Sequence, residues 1–430
     1  MTVRRPAVLH ADGVGVPHQV TELVAPVEAG RADEIAGALL PGTPLRDLLT
    51  AAGVTPGLLD ALVAGLRTGA WDDAVAAFGE SVDEETLFFV GPMRPGEGAP
   101  ARLGMVYAVR DDTAGAPVPG IESSAGDLGR LMFGFPCSFG GRHVEYYRLQ
   151  VVAGGPVTGR NCPIALFAPF HLGGWSDTRR QSARRRTVMW SNVVVDRHRT
   201  VTRCAAAGFL TVDGEAPALL DATADELGEA VGLWLTHHEL FHGSGPLPLF
   251  DPGSRKEEAG PDYYSVEEFR VDASTLLALS FAAPLSRPHR LASELVLTER
   301  LLRSARAGLA RLATGRPPTV DGAHGLLWLG VVHAAGALRP GSTDRAGAEA
   351  GADLDRAAAT EAVAAALHDV YQAESELVHD PAGRGAGLQR SAVRLREAVL
   401  PHARGGGRLL ARIPDEVPYA SVLASGSAPP

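Results

Sequence analysis

The stretch that most restricts the fold of this chain is Leu235-Thr236-His237-His238-Glu239-Leu240-Phe241-His242-Gly243-Ser244-Gly245. Its His238-Glu239-x-x-His242 pattern works as a metal site only on a helix. There, positions i and i+4 lie one above the other, so both imidazoles can hold one ion. Glu239 then reaches a water bound to that ion. Apolar residues at helical spacing from Asp225 to Leu235 predict a buried helix over about 225–243. Gly243 falls at the C′ position, and Pro246 blocks continuation. The plain alternative is two core histidines on an ordinary helix.

A second helix is predicted where Tyr263-Tyr264-Ser265-Val266-Glu267-Glu268-Phe269-Arg270-Val271-Asp272-Ala273-Ser274 runs into Leu276, Leu277 and Leu279. Zinc sites with two histidines often take a third ligand from a carboxylate and leave the fourth position to water. Glu268 and Asp272 are i, i+4 neighbours. One can bind the metal while the other orients a ligand histidine. Without the first stretch, Glu267, Glu268, Arg270 and Asp272 would read as a solvated face laced with salt bridges.

Together the two stretches resemble dipeptidyl peptidase III, a zinc aminopeptidase family of the gluzincin type. The matching residues are His238-Glu239-Leu240-Phe241-His242-Gly243-Ser244-Gly245 and Glu267-Glu268-x-Arg270-x-Asp272. Family sequences read H-E-L-x-G-H-G-S-G and E-E-C-R-A-E. This chain lacks the extra glycine between the histidines and is shorter than typical members, and the likeness lies in the two metal-site helices. The resemblance implies Zn2+ as cofactor, with His238, His242 and Glu268 as ligands and Glu239 as general base. It implies Glu267 and Asp272 as partners of the histidines, with Arg270 beside them. In the family a histidine preceded by alanine opens a later helix and bonds to the oxyanion. Ala323-His324 matches that pattern, and His333 on the same predicted helix competes for the role.

The rest of the chain divides by periodicity. Helices are predicted over Leu45–Ala52, Gly57–Leu66 and Trp71–Phe78, with Thr55-Pro56 as the start of the second. Short strands rich in Val, Phe, Tyr and Ile follow at Thr86–Val90, Leu103–Val109, Val144–Val152, Ile164–Phe170 and Val188–Val195. From Pro217 the pattern is helical almost to the end, with further helices at about 290–312, 320–337, 354–378 and 388–403. Arg339 to Ala352 reads as an exposed loop, and His368, His379 and His402 read as surface residues. The fold class is therefore α+β: a mainly helical zinc-binding lobe and a smaller antiparallel β-sheet or barrel lobe. The resemblance implies a cleft between them. The expected divisions are a helical segment 1–83, a β-rich lobe 84–215, a helical metal-binding domain 216–415 and a disordered tail 416–430.

Several residues of the β-rich segment invite a role. His143, Tyr146 and Tyr147 flank one strand, and adjacent tyrosines face opposite sides, so at most one readily enters a site. The family uses a tyrosine hydroxyl on the oxyanion; the alternative here is a half-buried strand aromatic. Arg179, Arg180, Arg184, Arg185 and Arg186 can bind a carboxylate or phosphate, or form a solvated loop or subunit contact. Cys137, Cys162 and Cys204 are far apart and odd in number, which suits reduced thiols, each a small core residue rather than a nucleophile.

A net charge of -10 argues against a general nucleic-acid binder. The N-terminus has no apolar run after its arginines, and no uninterrupted apolar stretch is long enough to span a bilayer, so the expectation is a cytoplasmic protein without a membrane partner. No phosphate-binding glycine motif follows a predicted strand. The expected function is zinc-dependent hydrolysis of a peptide or small amide substrate, with Glu239 moving the proton and a donor such as His324 meeting the oxyanion. Two other readings stand beside it: a metal-dependent tailoring enzyme of small-molecule biosynthesis, and a non-catalytic, metal-stabilised binding protein. The intact Glu239 argues against the last, because a structural zinc site needs no base.

Overall fold

The computed structural model describes residues 16–81, 84–94, 100–115, 143–157, 165–166, 172, 186–249, 254, 256–281, 286–341, 351–415 and 417. Among these, 16–115 with 143–196 form one compact unit and 197–417 form a second.

In the first unit, α1 (His18–Glu22), α2 (Val24–Glu28), α3 (Ala32–Ala38), α4 (Pro44–Ala51), α5 (Pro56–Thr68) and α6 (Asp72–Glu80) precede the strands. The starts of α4 and α5 are written into the sequence. Thr43 and Thr55 accept from the backbone N–H groups of Arg46 and Leu58, and a proline follows each threonine. The strands are β1 (Thr86–Met93), β2 (Arg102–Arg110), β3 (His143–Gly154), β4 (Ala165–Leu166) and β5 (Arg186–Trp190). They form one open sheet in the order β1-β2-β3-β5-β4. Its pairs are antiparallel except β3 with β5, which is parallel, so among the described residues the sheet is mixed and does not close into a barrel.

One core serves both the helices and the sheet. Val24, Val27, Leu59 and Phe78 are buried in the same apolar cluster as Leu87, Phe89, Val106 and Val151. The helical start of the chain therefore belongs with the strands rather than standing apart. Gly154, at φ 69°, lets β3 close on β2: a Cβ there would lie 2.2 Å from the Leu103 carbonyl oxygen.

Two readings of this region need correction. The strand expected at Val188–Val195 ends at Trp190 and becomes a helix, α7 (Ser191–Arg197). β-branched residues alone could not show this, because tertiary packing overrides their weak strand preference. Tyr147 is fully buried rather than half-buried; its hydroxyl donates to the Glu84 carbonyl at 2.7 Å. Tyr146 is 4 % exposed. Of the strand at Ile164–Phe170, only Ala165–Leu166 lies within the described residues. The Arg179–Arg185 cluster, Cys137, Cys162, the side chains of His143 and Arg186, and the tail from 418 onward lie outside them.

In the second unit a π-helical turn (His198–Thr202) leads to α8 (Arg203–Ala206) and β6 (Leu210–Val212). Cys204, expected in a core, is exposed, because α8 is one turn long and this position faces solvent. Among the described residues, five long helices and two shorter ones follow: α9 (Ala224–His242), α10 (Pro261–Phe281), α11 (Arg287–Thr298), α12 (Ala305–Ala313), α13 (Val320–Ala334), α14 (Arg356–Leu377) and α15 (Arg384–Leu410). Two more strands, β7 (Leu338–Pro340) and β8 (Ala352–Leu354), join β6 in a small sheet ordered β6-β8-β7. Strands of three residues carry too little alternation to be read from sequence. They tie the ends of the expected loop 339–352 to the body of this unit. His368, His379 and His402 are exposed, as expected.

Between α11 and α12 the helix widens into a π-helical turn, Glu299–Ser304. All six of its residues are buried, so Glu299, Arg300 and Arg303 all face the interior. Close helix contacts beside it depend on glycine. A Cβ on Gly325 of α13 would stand 2.3 Å from the Ala305 nitrogen, and one on Gly308 of α12 would stand 2.4 Å from the Gly322 carbonyl oxygen.

Candidate metal centre

The register of α9 is fixed at its start by a reciprocal cap. Thr223 Oγ1 accepts from the Glu226 N–H at 3.2 Å, and the Glu226 carboxylate accepts from the Thr223 N–H at 2.9 Å. From there the helix is buried almost all round, as in the interior of a large domain. His238, Glu239 and His242 lie on its last turn and are 7 %, 1 % and 4 % exposed. Gly243 closes the helix at φ -84°, so it is not the left-handed residue the sequence suggested. That conformation falls on Gly245, at φ 91°, where a Cβ would meet the Tyr371 ring at 2.6 Å.

The two imidazoles point their Nε2 atoms at each other, 3.3 Å apart. Two nitrogens held by one tetrahedral zinc at about 2.05 Å would stand about 3.3 Å apart. Glu268, on α10, completes a third edge. Its Oε2 is 3.3 Å from His238 Nε2 and its Oε1 is 3.8 Å from His242 Nε2. A carboxylate oxygen of Glu239 and one ring nitrogen from each histidine also lie within 4.8 Å of one another.

The far side of each ring is committed to a carboxylate. His238 Nδ1 donates to Asp272 at 2.8 Å, and His242 Nδ1 donates to Glu267 at 3.0 Å. With the protons on Nδ1, both Nε2 lone pairs converge on one point. Such a pair repels unless a cation lies between. Without a metal, a proton serves: burial opposes the charge on His238, but Asp272 and Glu268 overcome it and raise its pKa to about 9. For His242 burial prevails and the pKa is lowered. Burial also opposes ionisation of Glu268, yet the two histidines hold its carboxyl down at about 2. Donor set, tautomers and spacing all fit a divalent metal of the zinc type.

Each supporting carboxylate is itself held. Asp272 is fully buried and accepts from the Trp234 indole N–H at 2.8 Å and from Arg300 Nε at 2.5 Å. Arg300 and its neighbour Arg303 both pair with Asp321 on the first turn of α13. Burial works against the Asp272 charge, but Arg300 and His238 keep its carboxyl well below the usual range. Glu267 accepts from Arg270 Nε at 2.9 Å and from Lys256 Nζ at 2.7 Å. Arg270 also donates to the carbonyls of Phe241 at 3.0 Å and Ser244 at 3.1 Å, satisfying the open end of α9. Arg270 is thus a buried staple between the two helices, not part of a solvated face.

His324 enters from the start of α13, where it is 1 % exposed and its Nε2 stands 3.4 Å from Asp272 Oδ2. The Trp328 indole donates to its Nε2 at 2.8 Å, so the ring proton resides on Nδ1. Burial and the Arg300 charge lower its pKa to about 3, and the ring stays neutral. His333, nine residues further along α13, sits against His402 instead, with ring centroids 6.3 Å apart.

The structure thus gathers His238, Glu239, His242, Glu267, Glu268, Arg270, Asp272 and His324 around one point. Sequence reasoning missed Trp234, Lys256, Arg300, Asp321, Trp328 and Glu374. Trp234 had a local signal, since it lies four residues before His238 on the same helix face. Arg300 and Glu374 had none, because they come from helices remote in sequence.

The chain matches no protein-family model and no curated protein sequence. Among solved structures it is similar to DPP III from Caldithrix abyssi, with a TM-score of 0.62 at 16% identity, over 96% of this chain and 73% of that one. It is also similar to dipeptidyl-peptidase III from Corallococcus sp. strain EGB, with a TM-score of 0.47 at 15% identity, over 93% of this chain and 72% of that one. The first of these likenesses identifies the architecture: the chain has the α+β fold of the Caldithrix dipeptidyl-peptidase III.

Proposed function

We propose that this protein is a zinc-dependent hydrolase of the peptidase type, acting on a peptide or small amide bond. The observation that carries the reading is the convergence of His238 Nε2, His242 Nε2 and the Glu268 carboxylate, with both Nδ1 atoms held by buried carboxylates. His238, His242 and Glu268 would hold the metal. When bound, zinc acidifies a water and polarises a carbonyl.

The chain's own groups supply the rest. Glu239, nearly fully buried beside the two histidines, takes the proton from the attacking water and returns it to the leaving nitrogen. His324, kept by Trp328 in the tautomer with its proton on Nδ1, is the donor proposed for the developing oxyanion. The neutrality of His324 suits a donor that must not exchange its proton. Asp272 and Glu267 keep the histidine rings turned so that each Nε2 stays available. A metal that only held the fold together would need no general base beside it.

The test is metal content by elemental analysis, followed by a screen of dipeptide arylamides, short peptides and small amides. Wild type should carry about one zinc per chain, lost in His238→Ala with Glu268→Ala. Glu239→Gln should keep the zinc and lose hydrolysis. A wild type that takes up no zinc would overturn the proposal. So would full turnover in Glu239→Gln.

A further inference from the structure

Of the 40 basic Lys and Arg residues in this chain, Lys256 alone is lysine, and the other 39 (40 − 1) are arginine. A composition that uses arginine everywhere else keeps an ammonium at one place. That place is the interior behind the metal centre, where the Lys256 side chain is 0 % exposed. Its Nζ lies 2.7 Å from Glu267 Oε2 and 2.8 Å from Glu374 Oε1. The Tyr263 hydroxyl donates to the same Glu374 oxygen at 2.5 Å, and the Tyr263 ring centroid lies 5.6 Å from Nζ.

We infer that Lys256 is a positioning residue for the metal centre: its ammonium fixes the Glu267 carboxylate and, through it, the His242 ring. Glu267 has two oxygens with different tasks. Oε1 accepts from His242 Nδ1 at 3.0 Å and from Arg270 at 2.6 Å. Oε2 accepts from Lys256 and from Arg270 Nε. Arg270 grips the carboxylate from within the same helix, three residues on. Lys256 grips it from the short helical turn Lys256–Ala259, on the link between α9 and α10. With both grips in place, the carboxylate plane cannot rotate away from the imidazole.

The preference for lysine has a steric reason. Arg270 already fills the neighbouring space, with NH1 on the Tyr371 hydroxyl and its guanidinium 5.4 Å from that ring centroid. A second planar fork would need room between two carboxylates that a compact ammonium bridges directly. The four charges Lys256, Arg270, Glu267 and Glu374 also balance, which a buried cluster requires.

This inference rests on the zinc reading, and its test separates the two. Removing Lys256 alone would strand a buried anion. The better variant is therefore Lys256→Met with Glu374→Gln, which keeps Arg270 paired with Glu267 and the cluster neutral. Glu374→Gln alone serves as the control, because it disturbs the same cluster and leaves the Lys256–Glu267 contact. Zinc affinity is read by competition with a chromophoric chelator, and ligand geometry by the visible spectrum of the cobalt-loaded protein.

The double variant should bind zinc about 10–100-fold more weakly and show an altered cobalt spectrum, while Glu374→Gln, which keeps the Lys256–Glu267 contact, should lose less affinity and keep the wild-type spectrum. Selective 15N labelling of lysine gives a single side-chain signal, and zinc should shift it in wild type. Wild-type affinity and spectrum in the double variant would overturn the inference. Affinity losses in both variants that merely follow their losses of melting temperature would also overturn it, since Lys256 would then be structural only. A wild type that binds no zinc fails the proposed function itself, before any variant is compared.

Discussion

Gly325→Ala is a substitution whose sign the structure decides. In an open helix, alanine in place of glycine stabilises by about 1 kcal/mol. Gly325 is inside α13, but its Cβ would sit 2.3 Å from the Ala305 nitrogen and 2.4 Å from the Ser304 carbonyl carbon. Both are backbone atoms at the junction of the π-helical turn and α12, so no side chain can swing aside. Relief requires the two helices to part by roughly 1 Å, the gap between such a distance and normal van der Waals contact. Overpacking of this kind costs roughly 1–3 kcal/mol, and a backbone clash belongs at the upper end. Set against the helix gain, the net loss is about 2 kcal/mol. In a unit of this size that lowers the melting temperature by about 4–8 °C. The displaced segment also carries His324 on one side and Arg300 on the other. Gly37→Ala is the counter-experiment: it lies in α3 with nothing within 4 Å of the new Cβ, and it should raise stability. Calorimetry of both variants checks the argument. A Gly325→Ala protein that melts at or above wild type would refute the close-packing account.

The other predictions concern the ionic groups. Asp272→Asn should weaken zinc binding about 10–100-fold, because His238 loses its charged partner; chelator competition measures it, and unchanged affinity would contradict the assigned support. Glu299 is buried among Arg197 and Arg303, which hold its carboxyl well below the usual range against the opposing effect of burial. Its depressed pKa contributes stability that is present above pH 4.5 and lost as pH falls toward the folded value. Glu299→Gln should therefore cost roughly 3–5 kcal/mol at neutral pH, with the difference from wild type shrinking in acid; urea titrations across that range would show a constant gap if the reasoning is wrong. Zinc in hundredfold excess over its Kd should add about 2.7 kcal/mol to wild-type stability and nothing to His238→Ala, read as a melting shift.

The sequence determined a good part of this protein by itself. Helix starts at Thr43, Thr55 and Thr223 follow from capping, a local interaction within three or four residues. The His238/His242 pair and the Glu268/Asp272 pair follow from helical repeat, which is local too. The Val-, Phe- and Tyr-rich runs Thr86–Val90 and Leu103–Val109, bounded by turn residues, marked the β1–β2 pair, again a local signal.

Only the tertiary structure decided what those local pieces meet. It turned β3 and β5 parallel and ended the Val188 strand at Trp190. It added a three-stranded sheet from segments too short to announce themselves. It chose Asp272 for His238 and Glu267 for His242, a choice made by the crossing of two helices and invisible in either alone. It made Arg270 a buried staple, set His324 beside Asp272 and His333 against His402, and brought Glu374 and Arg300 from distant parts of the chain, and Lys256 from the link before α10, to charges that burial would not otherwise allow. The candidate ligands were legible because each of two helices presents its own at local spacing; the groups that hold Asp272 and Glu267 were not, because a buried charge finds its partner through space rather than along the chain.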